Sequence, residues 1–330
     1  MCPWKTLTGM TWKTSLFFAL LLAFFSCQDK SKQGRALDLE EAVHQQDDAQ
    51  STHLIEAENL QKILNEPHIK LVHFGREKEY NQGHIEGSVN IWRTDIEDAS
   101  YPYKGMMCSK QQLEILFSTK GIENSDTIIV YDNVASCDAA RLWWILKNYG
   151  FENLKILNGG LTAWQEIGGV LTTEATIVQE SEFKLPEISP MNFYVNKEQM
   201  LTFVKDINPP VIFDTRTVNE FTGAQQKSGA KTAGRIPGSL LMDWADCVNY
   251  SGDKKFKGIK ELERIYAQVL PDKHQAVVAY CHSGVRSAHT TFVLTELLGY
   301  KNVKNYDGSW TEWSHFENYP KTKDSITTIF

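Results

Sequence analysis

A cysteine, a glycine and an arginine lie in one short loop between a candidate strand and a candidate helix. The stretch Ala276–Tyr280 has the length and apolar content of a buried strand, and an apolar helical pattern follows the loop. In parallel sheets, ligands bind at the carboxyl ends of strands, where loop N–H groups and a helix N-terminus favour negative charge. The spacing therefore predicts a cradle for an anion or a thiolate. The loop residues are Cys281, His282, Ser283, Gly284, Val285, Arg286 and Ser287.

Three of these residues suit nucleophilic catalysis. Cys281 is the candidate nucleophile, because a helix N-terminus and nearby cations lower the pKa of a thiol. Gly284 permits a backbone turn that a side chain would resist. Arg286 can hold an oxyanion with two parallel N–H groups, which a point charge cannot do. We therefore predict that Cys281 is catalytic and that Arg286 binds an anionic substrate.

The other loop residues are predicted to line the binding site. His282 offers a second hydrogen-bond donor, either charged or neutral. Ser287 is placed to cap the helix that follows. Ser283 and Val285 contribute backbone N–H groups to the cradle.

The remaining cysteines show no pattern of their own. Cys2 and Cys27 lie near the N-terminus, and Cys108, Cys137 and Cys247 are scattered along the chain. Their spacing fits neither a zinc site nor a dense disulfide framework. We expect the three internal cysteines to be small buried hydrophobic residues, and we expect no metal site.

The N-terminal segment has the features of an export signal. Lys5 and Lys13 precede the apolar run 16–25, which is too short for a comfortable membrane span. Cys27 follows, and the arrangement resembles a bacterial lipoprotein signal with lipidation at Cys27. We predict an exported protein of the cell envelope that is bound to a membrane by a lipid anchor, with plain secretion or an uncleaved anchor as alternatives. The polar segment 28–53 is predicted to be a flexible tether.

Charge argues against one class of partner. The 330 residues carry a net charge of −7, so nothing indicates nucleic-acid binding. A chain with this charge that handles an anion must build a local electropositive site.

The folded part of the chain repeats itself. Tyr131, Gly159 and Trp164 recur at one constant separation as Tyr280, Gly308 and Trp313. A repeat of this length indicates a duplicated domain rather than a solenoid. We predict a first domain over 54–173, a linker over 174–192 and a second domain over 193–330, with additional residues in the second domain around 227–233.

Short apolar stretches alternate with amphipathic ones in both halves. This alternation predicts an α/β fold with two domains, each a mainly parallel sheet with helices on both faces. The candidate strands cover 70–74, 127–131, 210–214 and 276–280, and the candidate helices cover 56–64, 111–119, 139–149, 197–205, 259–269 and 288–298.

Several motifs together resemble one known family. The loop from Cys281 to Arg286 is similar to the active-site loop of rhodaneses, and the wider set is similar to the tandem-domain, thiosulfate sulfurtransferase-like members of that family. The resemblance covers nearly all of 54–320 and implies two rhodanese-like domains. The supporting segments are Gly83–Ser88, Arg141–Trp144, Asp214–Arg216, Glu220–Gly223, Ile236–Gly238 and Tyr306–Trp313.

The resemblance implies a sulfurtransferase that works in two steps. The Cys281 thiolate would attack the outer sulfur of a donor such as thiosulfate, release sulfite and retain a persulfide. A thiophilic acceptor, cyanide or a thiol, would then take that sulfur. The implied partners are a small-molecule donor and acceptor, and no cofactor is implied.

The first half departs from the motif at the decisive position. Asp132 aligns with Cys281, and a carboxylate cannot carry a persulfide. The following residues, 133–137, also lack the matching glycine and arginine. This half resembles the non-catalytic N-terminal domain of tandem rhodaneses, and we read Cys137 as a packing residue.

Two other classes of function remain as alternatives. Related cysteine phosphatases have five residues between cysteine and arginine, whereas four separate Cys281 from Arg286. The shorter loop argues against phosphate as the substrate. A non-catalytic sulfur- or anion-binding module would keep the loop without turnover.

The donor is a further open choice. Relatives that use 3-mercaptopyruvate carry an uncharged loop, so Arg286 favours thiosulfate. In some thiosulfate enzymes a substrate-binding arginine stands where this chain has Glu220. Arg216, Arg235 and Lys231 are the candidates to replace it.

Overall fold

The computed structural model describes residues 51–323. The first half is built on one five-stranded sheet with strand order β1-β6-β5-β2-β4, in which every neighbouring pair is parallel, and β3 pairs with β7 in a small antiparallel ribbon. Its strands are β1 (Leu54–Ile55), β2 (Ile69–Phe74), β3 (His84–Ile85), β4 (Val89–Ile91), β5 (Thr127–Tyr131), β6 (Leu154–Leu157) and β7 (Leu171–Thr172). Its helices are α1 (Ala57–Ile63), α2 (Glu77–Gln82), α3 (Lys110–Thr119), α4 (Cys137–Asn148) and α5 (Gly160–Glu166).

The second half repeats this topology. Its five parallel strands lie in the order β8-β12-β11-β9-β10, which matches the first sheet strand for strand. The strands are β8 (Tyr194–Val195), β9 (Val211–Asp214), β10 (Leu240–Leu241), β11 (Val277–Tyr280) and β12 (Val303–Tyr306). The helices are α6 (Lys197–Lys205), α7 (Val218–Thr222), α8 (Ile259–Tyr266), α9 (Val285–Phe292) and α10 (Ser309–His315), and a π-helical turn, Val293–Leu297, extends α9.

The duplication extends to individual hydrogen bonds. The Tyr131 hydroxyl, at the end of β5, lies 2.8 Å from Ser88 Oγ. The equivalent Tyr280 hydroxyl, at the end of β11, lies 3.1 Å from Ser239 Oγ. Both buried phenols therefore hold the same turn in their own half, as expected for buried tyrosines that must satisfy their hydroxyl groups.

Apolar residues cover both faces of both sheets. The outer faces carry α1 and α5 in the first half and α6 and α10 in the second. The inner faces share one large apolar cluster that draws residues from both halves. The predicted α/β class with parallel sheets covered on both faces is therefore confirmed.

Helices α4 and α9 form the contact between the halves. Every residue of α4 except Lys147 is buried. The Trp143 ring meets the Phe292 ring edge to face at 5.0 Å, an arrangement that aromatic pairs favour. The N-terminus of α9, which carries the predicted active loop, is thereby fixed against the first half.

The sequence patterns locate the longer elements best. The predicted strand 127–131 and helix 197–205 match the structure to the residue. Strands β6 and β12 are among those not predicted, because each has four residues and at least one polar residue that interrupts the apolar pattern. Within residues 51–323 no helix is long and apolar enough to cross a bilayer.

The segment between the two sheets is packed, although it contains no helix or strand. Phe183 is fully buried, and its ring lies 5.0 Å from the Phe117 ring and 5.4 Å from the Phe151 ring. The connection therefore contributes to the core of the first half.

Replacing Phe183 tests this role. Phe183→Ala should lower the free energy of unfolding by about 3–5 kcal/mol, because it removes a buried ring and leaves a cavity. Urea unfolding followed by far-UV circular dichroism measures the change. Ile177→Ala, at a residue that is 96% exposed in the same segment, should be near neutral, and equal effects of the two variants would contradict the packing described.

Candidate active site

Cys281 lies at the carboxyl end of β11, directly before the turn into α9. Only 1% of the residue is exposed. Gly284 precedes the helix with φ of +76°, in the left-handed region that favours glycine. A Cβ atom there would also come within 2.7 Å of Arg141 Nη1. Both the turn and the close approach therefore require glycine.

The loop turns its donors toward the sulfur atom. Burial alone would raise the pKa of the Cys281 thiol, but the Arg286 cation, the Ser287 hydroxyl and the N–H groups of Ser287 and Ser283 outweigh burial and lower the pKa to about 7. Ser287 Oγ is buried and has no other hydrogen-bond partner among residues 51–323. It is therefore free to donate to a thiolate. The loop therefore favours the thiolate form of Cys281.

Ser309 holds the Cys281 loop in place through side-chain hydrogen bonds. It has φ of +52°, uncommon for a residue with a side chain. Its Oγ accepts from the backbone N–H groups of Cys281, at 3.1 Å, and Gly284, at 3.0 Å, and donates to the Tyr306 carbonyl at 2.8 Å. The strained backbone of Ser309 is thus accompanied by three hydrogen bonds that fix both ends of the turn.

Arg141 reaches the same loop from the first half. Its guanidinium is buried and donates to the Asp307 carboxylate at 2.6 Å and to the Gly105 carbonyl at 2.8 Å. The other terminal nitrogen donates to the Gly284 carbonyl at 3.4 Å. The first half therefore supports the loop that carries Cys281.

Arg286 is held by a carboxylate. Its two terminal nitrogens lie 2.7 and 2.9 Å from the two oxygens of Glu220, a bidentate fork. Burial would raise the pKa of Glu220, but Arg286 lowers it to about 2. Glu220 is therefore ionised throughout the neutral range. No pattern in the sequence indicated this pair, so Arg286 was expected to be free for the substrate.

Two further cations, both missed by the sequence analysis, lie near the thiolate. Lys227 has an exposed side chain within electrostatic range of Cys281 and Arg286. Arg93, from the first half, is within range of Cys281, and its Nε donates to Asp138 at 2.9 Å. One feature of the sequence could have indicated Lys227: it lies among the additional residues, around 227–233, that the second half has and the first half lacks.

His282 is held by a backbone carbonyl. Its Nε2 lies 2.9 Å from the Ser228 carbonyl, and burial together with Lys227 lowers the pKa of the ring to about 4. A neutral ring that donates to a carbonyl cannot also hold an anion through that nitrogen. Through Nε2, His282 therefore anchors the segment that contains Lys227, and its predicted place in the substrate site stays a prediction.

Four other residues named as candidates have contacts or positions that bear on their predicted roles. Arg216 is buried and forks the Asp214 carboxylate at 2.8 and 2.6 Å, so it supports the sheet edge rather than the substrate. Arg235 stacks on the Phe221 ring at 4.4 Å, and the Lys231 side chain is exposed. Ser287 does not cap α9, because the helix begins earlier, at Val285.

The equivalent loop of the first half is filled by its own side chain. Oxygen Oδ1 of Asp132 accepts from the N–H groups of Val134 and Ser136, each at 2.9 Å. Oxygen Oδ2 accepts from Asp138 at 2.7 Å and from Ala139 at 2.9 Å. The same cradle thus exists in both halves, and in the first half a carboxylate occupies it.

Cys281 differs from the other cysteines of residues 51–323. Burial raises the pKa of Cys108 and Cys247 to about 12 and raises that of Cys137 well above its ordinary value. Cys281 is equally buried, yet its pKa is lowered. Residues 51–323 contain no cluster of three or more His, Cys, Asp or Glu side chains that could hold a metal ion.

A family model decides the assignment. The model described as "Rhodanese-like domain" matches twice, over residues 56–167 and 198–316. The chain belongs to the rhodanese family. It is a sulfurtransferase enzyme of the rhodanese type, with two rhodanese-like domains.

Named relatives cover most of the chain. A Mycolicibacterium smegmatis protein named "Putative thiosulfate sulfurtransferase" is 36% identical over 73% of this chain and 86% of its own length. The "Thiosulfate sulfurtransferase" of Corynebacterium glutamicum is 31% identical over 83% and 93%. The "Sulfur carrier protein TtuD" of Thermus thermophilus is 31% identical over 82% and 96%.

Solved structures share the rhodanese fold. The anaerobic ergothioneine biosynthesis enzyme of Chlorobium limicola superposes with a TM-score of 0.72 at 22% identity, covering 83% of this chain and 70% of that enzyme. Wild-type EanB gives 0.73 at 21% identity, covering 83% and 69%. At these identities the likeness concerns the fold alone.

The Arg286–Glu220 pair generates a prediction about the thiol. Glu220→Gln removes the charge that opposes Arg286, so the pKa of Cys281 should fall below its wild-type value of about 7. The pH dependence of alkylation of Cys281 by iodoacetamide measures this pKa. Glu261→Gln, at an exposed ion pair with Lys257, is the control. A pKa that rises in Glu220→Gln would mean that Glu220 acts mainly by holding Arg286 in place.

Proposed function

We propose that this rhodanese transfers sulfane sulfur from thiosulfate to a thiophilic acceptor through a persulfide on Cys281. One observation carries the proposal. Cys281 is a buried thiol whose pKa is nevertheless lowered to about 7, inside a cradle of N–H groups beside Arg286. Burial raises the pKa of the other cysteines, but at Cys281 the surrounding donors and Arg286 lower the pKa despite burial. Such an arrangement is typical of a nucleophilic cysteine.

The first step loads the enzyme. The Cys281 thiolate attacks the outer sulfur of thiosulfate and forms a new S–S bond. The bond between that sulfur and the sulfonate breaks, and its electron pair leaves with sulfite. Charge balances, because one thiolate and one dianion give one persulfide anion and one sulfite dianion. The N–H groups of Ser283 and Ser287 stabilise the negative sulfur.

The second step returns the free thiolate. Cyanide or a thiolate attacks the outer sulfur of the persulfide, and the electron pair of the S–S bond returns to Cys281 as the thiolate. The cradle that lowers the pKa of Cys281 also makes it a good leaving group. One site thus serves both steps, and no redox cofactor is needed for the balance.

Thiosulfate is favoured as the donor for two reasons. Relatives at 31–36% identity over most of the chain carry the name thiosulfate sulfurtransferase. Arg286, Lys227 and Arg93 also direct positive charge toward the Cys281 sulfur, which suits a dianion.

A second donor, 3-mercaptopyruvate, is supported by Glu220. Its carboxylate neutralises Arg286 at 2.7 and 2.9 Å, which weakens the case for a strong dianion site in the loop itself. A donor with one carboxylate requires less positive charge. The non-catalytic binding module is the remaining alternative and predicts no turnover with either donor.

A donor comparison tests the function. Incubation with thiosulfate should add one sulfur atom to the peptide that contains Cys281, and cyanide should then release it as thiocyanate. Mass spectrometry of the peptides gives the site, and thiocyanate formation gives the rate. Cys281→Ser should abolish both signals. Sulfur on Cys137 instead would overturn the nucleophile, and turnover with 3-mercaptopyruvate alone would overturn the donor.

We propose that the enzyme is exported and bound to a membrane through lipid on Cys27. The support is the sequence of Lys5, Lys13 and the apolar run 16–25. Residues 1–27 and most of the predicted tether lie outside the described residues 51–323.

Mass spectrometry of the native protein tests this location. An acylated Cys27 as the first residue is the expected result, and Cys27→Ser should release the protein from the membrane fraction. A mature protein that retains residues 1–26 and remains in the cytosol would contradict the proposal.

A further inference from the structure

We propose that Lys227 is the binding residue for the anionic end of the sulfur donor, presented by a segment that the second half has and the first half lacks. This segment, residues 224–233, is called the Lys227 loop. Arg286, in contrast, is a fixed part of the cradle. The inference deepens the proposed function and rests on it for the identity of the donor.

The Lys227 loop is joined directly to the catalytic loop. The residue after Lys227, Ser228, accepts a hydrogen bond from the His282 ring at 2.9 Å. His282 is the neighbour of Cys281 in sequence. Lys227 is therefore the neighbour of Ser228, Cys281 is the neighbour of His282, and one hydrogen bond joins Ser228 to His282.

A second attachment passes through Trp310. Its backbone N–H donates to the Cys281 carbonyl at 3.0 Å, and its indole N–H donates to the Thr232 carbonyl at 2.9 Å. Lys231 adds a backbone hydrogen bond to Ser314 Oγ at 2.9 Å. The Lys227 loop contains no helix or strand, yet it is held at Ser228 and again at Lys231 and Thr232, on the C-terminal side of Lys227, by residues next to Cys281 and by α10.

The charges around the thiolate distinguish Lys227 from its neighbours. Arg286 is matched by Glu220 and Arg93 by Asp138. Lys227 lies within electrostatic range of Glu220, but among residues 51–323 no carboxylate lies within ion-pair distance of its ammonium group. An anionic substrate that binds Arg286 or Arg93 must compete with a protein carboxylate for the cation. An anionic substrate that binds Lys227 does not have to displace an ion pair.

The chemistry of the donor suits this arrangement. When the thiolate attacks the outer sulfur of thiosulfate, the sulfonate lies on the far side of that sulfur and gains negative charge as the S–S bond breaks. A cation that meets this group lowers the barrier. An exposed ammonium on a flexible stem is a point charge that can follow the departing sulfite, and salt should weaken its effect.

Two alkylating reagents test the site without any sulfur donor. Iodoacetate is an anion and iodoacetamide is neutral, and both react with the Cys281 thiolate. The ratio of their rates therefore cancels the thiolate fraction and reports the local charge. Lys227→Gln should lower the ratio of iodoacetate to iodoacetamide rates about tenfold at low salt, and Lys227→Arg should restore most of it. Lys231→Gln, in the same loop, should resemble wild type.

The same variants are then tested with thiosulfate. Lys227→Gln should lower kcat/KM for thiosulfate by about tenfold to a hundredfold, and added salt should reduce the difference from wild type. Equal behaviour of Lys227→Gln and Lys231→Gln in both measurements would overturn the inference. If wild type is not loaded by thiosulfate but Lys227→Gln still changes the alkylation ratio, the donor is wrong and the anion site stands.

Discussion

The structure around Cys281 is governed by the need to keep a negative sulfur atom out of water. A residue that is 1% exposed cannot hold a charge unless fixed dipoles and a cation replace the solvent. The turn at Gly284 aims N–H groups at the sulfur, and Ser309 holds that turn by accepting from two of its N–H groups. Arg141, from the first half, donates to the Gly284 carbonyl on the other side of the turn, and Asp307 of the second half accepts a hydrogen bond from Arg141. Each of these features can be understood as support for one ionised thiol.

Arg286, the cation that stabilises the thiolate, is itself a charged group that needs a partner in place of solvent. Arg286 is largely buried, and a buried guanidinium without a carboxylate partner is costly. Glu220 satisfies it with a bidentate fork, but the fork also neutralises charge that an anionic donor would otherwise meet. The cradle can therefore stabilise negative charge on the sulfur strongly and attract the anionic end of the donor only weakly. Lys227, an exposed cation within electrostatic range of Cys281, is the separate charge that we propose for the rest of the donor.

Local patterns in the sequence predicted the strand before Cys281, the turn at Gly284 and the helix that follows, because these depend on residues close together in the chain. They could not predict the pairing of Arg286 with Glu220, which are far apart in sequence and meet only after folding. Burial was equally invisible. His282 is a polar residue in a polar loop, yet burial lowers the pKa of its ring to about 4, so a charged ring is disfavoured there. The short strands β6 and β12 were missed because their pairing within the sheet, rather than their composition, makes them strands.

The first half shows that the cradle belongs to the fold and the chemistry to one side chain. Asp132 receives four backbone N–H groups at 2.7–2.9 Å, so this loop still stabilises negative charge, although a carboxylate fills it. A self-filled cradle has no need of an arginine or of a loop that presents a lysine, and this half has neither at the matching positions. What it contributes instead lies on its inner face, where Arg141 and Arg93 point toward the second half. The first half therefore has no cysteine at the Cys281 position and instead provides a supporting surface, against which the Cys281 loop is held by Arg141.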